Sequence, residues 1–434
     1  MYNMRISKSI KSTLLFSFAF IIIFSIFLLA CGNNKDFGKT KLVFKHGKIA
    51  GESKYLTDLI TQFESENPNI EVVEEVLPAI TDQQRQFYIT SLESGSDDFD
   101  VLSMDVIWIP EFARAGWLED LTALFSKDEI QLFFPGPLRA DTYQGKLYAM
   151  PWYVDAGVLY YRKDLLGKYF LSPPKTFNEL KNICRIIKRQ ERNSKLYGFV
   201  WQGKQYEGLI CAALEFIEGN CGHILDADGN PIINSPQVIN AMSFMRSLID
   251  SGITPEYVTT ADEEMTRHSF GNGNVIFMRN WPYAYNIFNA EDSKIKGKVG
   301  VCIMPHFDNC PSAATLGGWQ LGINKMSKHK KEAQKFISFM FRYESQKYLA
   351  LNVGLKPSRR DIYTDETLKD KQPFISDLYD ILMKAVPRPI TPYYPQISQV
   401  LQTSFSEIIT GSKSAEESLN EAQGKLAEII SRSG

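Results

Sequence analysis

Four short segments carry aromatic rings beside carboxylates or beside small and rigid residues. They are Met104-Asp105-Val106-Ile107-Trp108, Pro151-Trp152-Tyr153-Val154-Asp155, Arg279-Asn280-Trp281-Pro282-Tyr283 and Gly317-Gly318-Trp319. Each sits at the end of a segment that reads as a β-strand. In α/β sheets, ligands collect beyond the carboxyl ends of strands. An aromatic face packs against the C–H groups of a saccharide ring. Carboxylates and guanidinium groups hold hydroxyls through charge-assisted bonds. The chemistry these residue types favour is recognition of a polyhydroxylated small molecule. Core packing is the competing role for every tryptophan. Trp117 and Trp201 are assigned to it, Trp117 because Ala115-Gly116-Trp117-Leu118 reads as a helix end.

Templates for bond-making chemistry are missing. The chain contains no H-E-x-x-H, G-x-S-x-G, G-x-x-x-x-G-K-[ST] or G-x-G-x-x-G. Its five histidines, His46, His223, His268, His306 and His329, lack ligand spacing, so no metal and no cofactor is expected. Beyond Cys31 five cysteines remain, and no C-x-x-C occurs among them. Buried free thiols are the expected state for Cys184, Cys211, Cys221, Cys302 and Cys310. Cys302 with Cys310 is the pair to test for a disulfide, and Cys211 with Cys221 is a second possibility.

The elements that must position these residues alternate between strand and helix. Lys41–His46, the alternating Ile70, Val72 and Val76, and Asp100–Met104 read as strands. Between them, Leu56, Leu59, Ile60 and Phe63 fall at helical spacing, and Phe87 with Leu92 marks a second helix. A second series follows the Tyr-Trp-Pro-rich stretch near residue 150. It has strands at Val158–Tyr161, Tyr197–Trp201 and Val275–Met278, and a helix Phe177–Lys188 capped by Thr176. Strands at Val299–Ile303 and Gln320–Ile323 precede one helix, Lys331–Leu349. The tail from Pro373 is helical, broken at Thr391–Pro395. This succession predicts a parallel or mixed sheet wrapped by helices.

The chain has 434 residues, and about 395 of them follow the leader and tether described next. That exceeds one hydrophobic core and predicts two lobes. Residues 1–30 read as a signal peptide: Arg5, Lys8 and Lys11, then an apolar run from Leu14 to Ala30. Cys31 directly after Leu28-Leu29-Ala30 resembles a lipobox, which makes Cys31 the acylated N-terminus. An uncleaved membrane anchor is the alternative, since the run nearly reaches the roughly 20 residues that span a bilayer. Residues 31–39 form a polar tether. The net charge of −2 gives no reason to expect nucleic-acid binding.

Six stretches, Leu102–Val106, Asp155–Asp164, Gly198–Gly208, Arg279–Ala284, Ala314–Trp319 and Val386–Pro395, resemble the trehalose/maltose-binding proteins of ABC importers. These belong to extracellular solute-binding protein family 1. The stretches occur in the family's order and cover essentially the whole mature chain. The resemblance implies a two-lobed α/β fold like that of periplasmic binding proteins, with the ligand cleft between lobes joined by crossing segments. The expected division is 40–148 with 296–342 as the first lobe, and 149–295 with 343–434 as the second. Residue by residue, it implies that Asp105, Asp155 and Arg388 bind hydroxyls, with Asp105 and Asp155 on opposite lobes. Tyr153, Trp281, Tyr283 and Trp319 form aromatic walls, and Gly318 offers backbone. Glu52 and Arg85 are further contacts, carried by looser matches; a surface salt bridge is the other role open to Arg85.

The resulting expectation is an extracytoplasmic, lipid-anchored, monomeric receptor and not an enzyme. It captures a disaccharide, trehalose or maltose, by hinge closure, and delivers it to the transmembrane subunits of an ABC permease. A glycoside hydrolase using paired cleft carboxylates, or a receptor for a different small solute, are the competing readings.

Overall fold

The computed structural model describes residues 38–49 and 53–432. The expected signal peptide, Cys31 and Glu52 lie outside them. Eleven strands are present among the described residues: β1 (Thr40–Gly47), β2 (Ile70–Leu77), β3 (Val101–Asp105), β4 (Thr142–Tyr143), β5 (Lys146–Leu147), β6 (Met150–Ala156), β7 (Val158–Arg162), β8 (Tyr197–Val200), β9 (Val275–Asn280), β10 (Val299–Cys302) and β11 (Leu316–Ile323). The helices of nine residues or more are α1 (Lys54–Glu66), α2 (Thr81–Glu93), α3 (Phe177–Glu191), α4 (Glu207–Glu218), α5 (Pro236–Asp250), α6 (Glu263–Gly271), α7 (Lys330–Met340), α8 (Tyr343–Asn352), α9 (Ile375–Met383), α10 (Tyr394–Thr410) and α11 (Ala415–Ser431).

Two sheets organise two lobes. The first has the order β2-β1-β3-β11-β6 and the second β10-β7-β9-β8; β4 and β5 form a separate hairpin. β1 pairs in parallel with β2 and β3, whereas β11 runs antiparallel to β3 and β6. The first lobe buries Leu42 and Phe44 of β1 against Phe63 of α1 and Phe336 of α7. The second buries Phe199, Phe216, Met242 and Phe277 together with Ile375, Leu401 and Leu426 from the C-terminal helices. α3 shows how local sequence builds such an element. Thr176 and Glu179 form a capping box. Leu180, Ile183, Cys184 and Ile187 then turn one buried stripe to the core.

The chain passes between sheets at a single residue, Gly157, which separates β6 from β7 and donates its N–H to the Thr315 carbonyl at 3.3 Å. It passes again between β10 and β11, and a third time after α8, where Tyr153 bridges Pro357. Sheet membership differs from the expected division at three places. β6 lies in the first sheet, β10 in the second, and Leu349, Val353 and Leu355 pack in the first core. Crossing strands pair with whichever sheet they run into, so lobe boundaries fall inside strands that look continuous in sequence.

Two other expectations are corrected. The single helix Lys331–Leu349 is two helices, α7 and α8. Phe341 drops into the core beside Phe125 and Phe133, and Arg342 is extended. Ser345 Oγ and Gln346 Nε2 donate to the Phe339 and Met340 carbonyls that a continuous helix would have used. Cys221 and Cys310 form a disulfide, while Cys184, Cys211 and Cys302 are free. Pairing in the second sheet fixes Cys302 opposite Leu159. The loop beyond it folds back instead, with the Phe307 N–H donating to the Gly219 carbonyl at 2.8 Å. No described helix is long and apolar enough to cross a membrane.

Candidate functional site

A cavity of about 460 Å³ lies between the lobes, within the size range of small-molecule sites. One wall is built by strand register. Asp105 at the end of β3 faces Trp319 on β11, and Trp319 faces Tyr153 on β6. Gly317 faces Asp155 two residues further along. Side chains alternate across a sheet with period two, so Tyr153 with Asp155 and Gly317 with Trp319 share one face. Gly318 lies between them at φ +121°, and a Cβ there would sit 2.4 Å from the Tyr153 carbonyl oxygen. Only glycine fits that position without strain.

The opposite wall comes from the second lobe. Trp281 and Tyr283 follow β9; Tyr206 and Glu207 stand where α4 begins; Glu263 and Glu264 form the first turn of α6. The Arg279 guanidinium lies 4.1 Å from the centre of the Trp281 ring. A Cβ on Gly317 would come within 3.0 Å of that ring, so Trp281 closes against the first sheet.

Eight of the ten expected contacts therefore line one cavity: Asp105, Tyr153, Asp155, Trp281, Tyr283, Gly318, Trp319 and Arg388. Two sequence readings are corrected. Arg85 turns away into a forked ion pair with Glu111, at 2.5 and 2.9 Å. A guanidinium with a carboxylate in reach satisfies its donors locally. Asp105 and Asp155 do not stand on opposite lobes, because both β3 and β6 flank β11 in the first sheet. Trp108 and Trp152, which shared segments with site residues, are core. Trp108 instead supports Trp319 edge-on, at 5.6 Å between centroids.

Burial raises the carboxyl of both aspartates, against the pull of Arg388 at Asp105, but their hydrogen-bond partners differ. Arg388 donates to Asp105 Oδ1 at 3.1 Å and to Glu207 Oε1 at 2.9 Å. Tyr394 and Ser398 donate to Glu207 as well, at 2.5 and 2.6 Å. Glu207 is thus consumed internally. Asp155 has no hydrogen-bond partner on its carboxylate among the described residues, although it lines the cavity. Burial pushes its carboxyl up to about 7, against the pull of Lys356 and Arg279. Burial also lowers the Lys356 ammonium to about 7, opposed by Asp155. The sign follows from linkage. Asp155 holds its proton more tightly folded than unfolded, so its contribution is complete below pH 3.8 and is lost as pH rises toward 7. Lys356 acts in the window above: stability rises with pH between about 7 and 10.5. Unfolding titrations of the ligand-free protein should show Asp155→Asn removing a downward slope between pH 4 and 7. An unchanged slope would show that Asp155 is not held in this environment.

Sequence reasoning missed Tyr206, Glu207, Glu263 and Gln84. Gln84 is buried at the cavity with Oε1 unpaired. Tyr206 and Glu207 lie inside one of the resembling stretches but carry no local mark of a site. Glu263 reads in sequence only as an acid in a helix's first turn. Among the described residues no group of His, Cys, Asp or Glu is placed to hold a metal.

A carboxyl raised by burial is also a mark of a glycosidase's general acid, so comparison with known proteins decides between receptor and enzyme. Residues 47–347 match the family described as bacterial extracellular solute-binding protein. A probable ABC transporter-binding protein of Deinococcus radiodurans is 38% identical over 363 residues, covering 82% of this chain and 86% of the relative. The solved structure of maltose-bound T. maritima MalE3 superposes with a TM-score of 0.86 at 40% identity, over 90% of this chain and all of that one. A solute-binding protein from Thermotoga lettingae, bound with α-D-tagatose, gives 0.81 at 26% identity, with 90% and 100% covered. Family and fold are those of solute receptors rather than enzymes, and the chain belongs to the bacterial extracellular solute-binding proteins.

Proposed function

We propose that the protein captures a maltose-type disaccharide outside the cell and presents it, with the lobes closed, to an ABC permease. The observation that carries this reading is the pairing of aromatic walls with a carboxylate that has no hydrogen-bond partner among the described residues. Trp319 and Tyr153 face Trp281 and Tyr283 across a cavity of about 460 Å³, and Asp155 stands there as an open acceptor. Ring faces suit the C–H surfaces of sugar rings, and the carboxylate suits their hydroxyls. The relative bound to maltose favours maltose over trehalose, and the tagatose-bound one keeps monosaccharides in the test panel. Closure around the ligand desolvates it and creates the surface the permease reads. Anchorage through an acylated Cys31 is part of the proposal, and mass spectrometry of the mature N-terminus checks it.

The test is calorimetric titration of the mature chain with maltose, trehalose, maltotriose and tagatose. Maltose is expected to bind and to reduce the radius of gyration measured by scattering. Asp155→Asn removes a charge-assisted bond of roughly 1.5–3 kcal/mol, a loss of at least about tenfold in affinity. Trp319→Ala should weaken binding while the ligand-free melting temperature moves little. Turnover of maltose, or no heat with any sugar, would overturn the proposal.

A further inference from the structure

We propose that the first turn of α6 is a bracket that fixes the aromatic wall of the second lobe, with Glu263 as its positioning residue. Glu263 spends both carboxylate oxygens on cavity-lining rings. Oε2 accepts from the Tyr206 hydroxyl at 2.5 Å, and Oε1 accepts from Trp281 Nε1 at 3.3 Å. Its neighbour Glu264 accepts from the Tyr283 hydroxyl at 3.1 Å and is itself paired with Arg267. Three rings from two separate chain segments are thereby tied to two consecutive residues.

The same turn also holds the backbone that carries Trp281. Asn280 is fully buried; its Nδ2 donates to the Glu263 carbonyl at 3.1 Å, and its Oδ1 accepts the Trp281 N–H at 2.8 Å. Thr266 of α6 accepts from Gln202 at 2.9 Å, and Gln202 in turn accepts from Arg279 at 3.0 Å. Asp262 caps the helix by accepting the Met265 N–H at 3.0 Å. Acids in a first turn are favoured by the helix dipole, and Arg267 further holds the Glu264 carboxyl below its ordinary value.

The consequence is preorganisation. A sugar ring that stacks on an indole must otherwise restrict the ring's rotation when it binds, and that entropy is subtracted from affinity. With Glu263 in place the indole and the Tyr206 phenol are fixed before the ligand arrives, and Trp281 is held against Gly317 on the opposite wall. Glu263 sets the spacing between the two walls. This rests on the saccharide reading above for its consequence on binding, though not for the bracket itself.

The experiment uses the mature chain with E263L, E263Q and Y206F variants. The ligand-free readout is the indole N–H resonance of Trp281, assigned with W281F. It should move in E263L and stay close to wild type in E263Q, whose amide oxygen still accepts. Maltose affinity should fall about tenfold or more in E263L and recover most of that loss in E263Q. Y206F breaks one arm of the bracket without touching the helix, so it serves if E263L folds poorly. It should weaken binding, and E263L/Y206F should bind no worse than E263L alone. An unmoved indole resonance with unchanged maltose affinity in both E263L and Y206F overturns the proposal. A moved resonance in a protein that binds no sugar upholds the bracket and refutes the saccharide reading.

Discussion

Arg279→Met is expected to destabilise the ligand-free protein by about 3–5 kcal/mol, the usual cost of removing one partner from a buried ion pair. Arg279 and Glu215 are both completely buried, and the guanidinium grips the carboxylate through two bonds of 2.6 and 2.8 Å. Glu215 also accepts the Thr315 N–H, at 3.3 Å, so the pair fastens β9 to the segment entering β11. Without Arg279 the remaining carboxylate loses its ion-pair partner and must take up a proton or draw in water. Urea denaturation measures the loss. The double variant Arg279→Met with Glu215→Leu should be more stable than Arg279→Met alone, because no unpaired charge is left. A single-variant loss below about 1 kcal/mol would show that the pair does not bear on stability.

Arg388→Met should have an effect of similar size and, in addition, a pH signature. Arg388 is the cation shared by Asp105 of the first sheet and Glu207 of the second lobe, and its side chain is 2% exposed. Removing it leaves two buried carboxylates facing one another. Burial already raises the Asp105 carboxyl against the pull of Arg388; without the guanidinium both carboxylates would be easier to protonate, neutral at low pH and unfavourably charged at high pH. A raised folded-state value stabilises below the unfolded value and loses that contribution as pH rises. The variant should therefore lose about 3–5 kcal/mol at pH 8 and distinctly less at pH 5. Sugar affinity should also fall, because Asp105 would keep only the Ile107 N–H, at 3.2 Å, to orient it. Equal losses at the two pH values would refute the shared-cation role.

The sequence carried the elements that depend on local physics. β1 is expected over Lys41–His46 and is observed over Thr40–Gly47; α3 starts at the expected Thr176 cap. Seven of the eight expected residues that line the cavity were legible for a related reason, whereas Arg388 came only with the family resemblance. Strand-end aromatics and carboxylates form short contiguous patterns, and a period of two decides which of them share a face. The helix expected over Lys331–Leu349 failed because apolar periodicity continues through Phe341. What interrupts the helix is a tertiary pocket, formed by Phe125 and Phe133, that captures that ring.

What only the tertiary structure decided is which distant groups meet. Arg388 reaches Asp105 across 283 residues, and Tyr206 reaches Glu263 across 57. Arg85 was drawn to Glu111 rather than to the cavity, and Cys310 found Cys221 rather than Cys302. Periodicity and capping are short-range, so a sequence states which face of an element is buried and where that element ends. The identity of the charge or ring that covers that face is set by the packing of elements from the rest of the chain, and here that packing determines which carboxylates are consumed internally and that Asp155 lines the cavity.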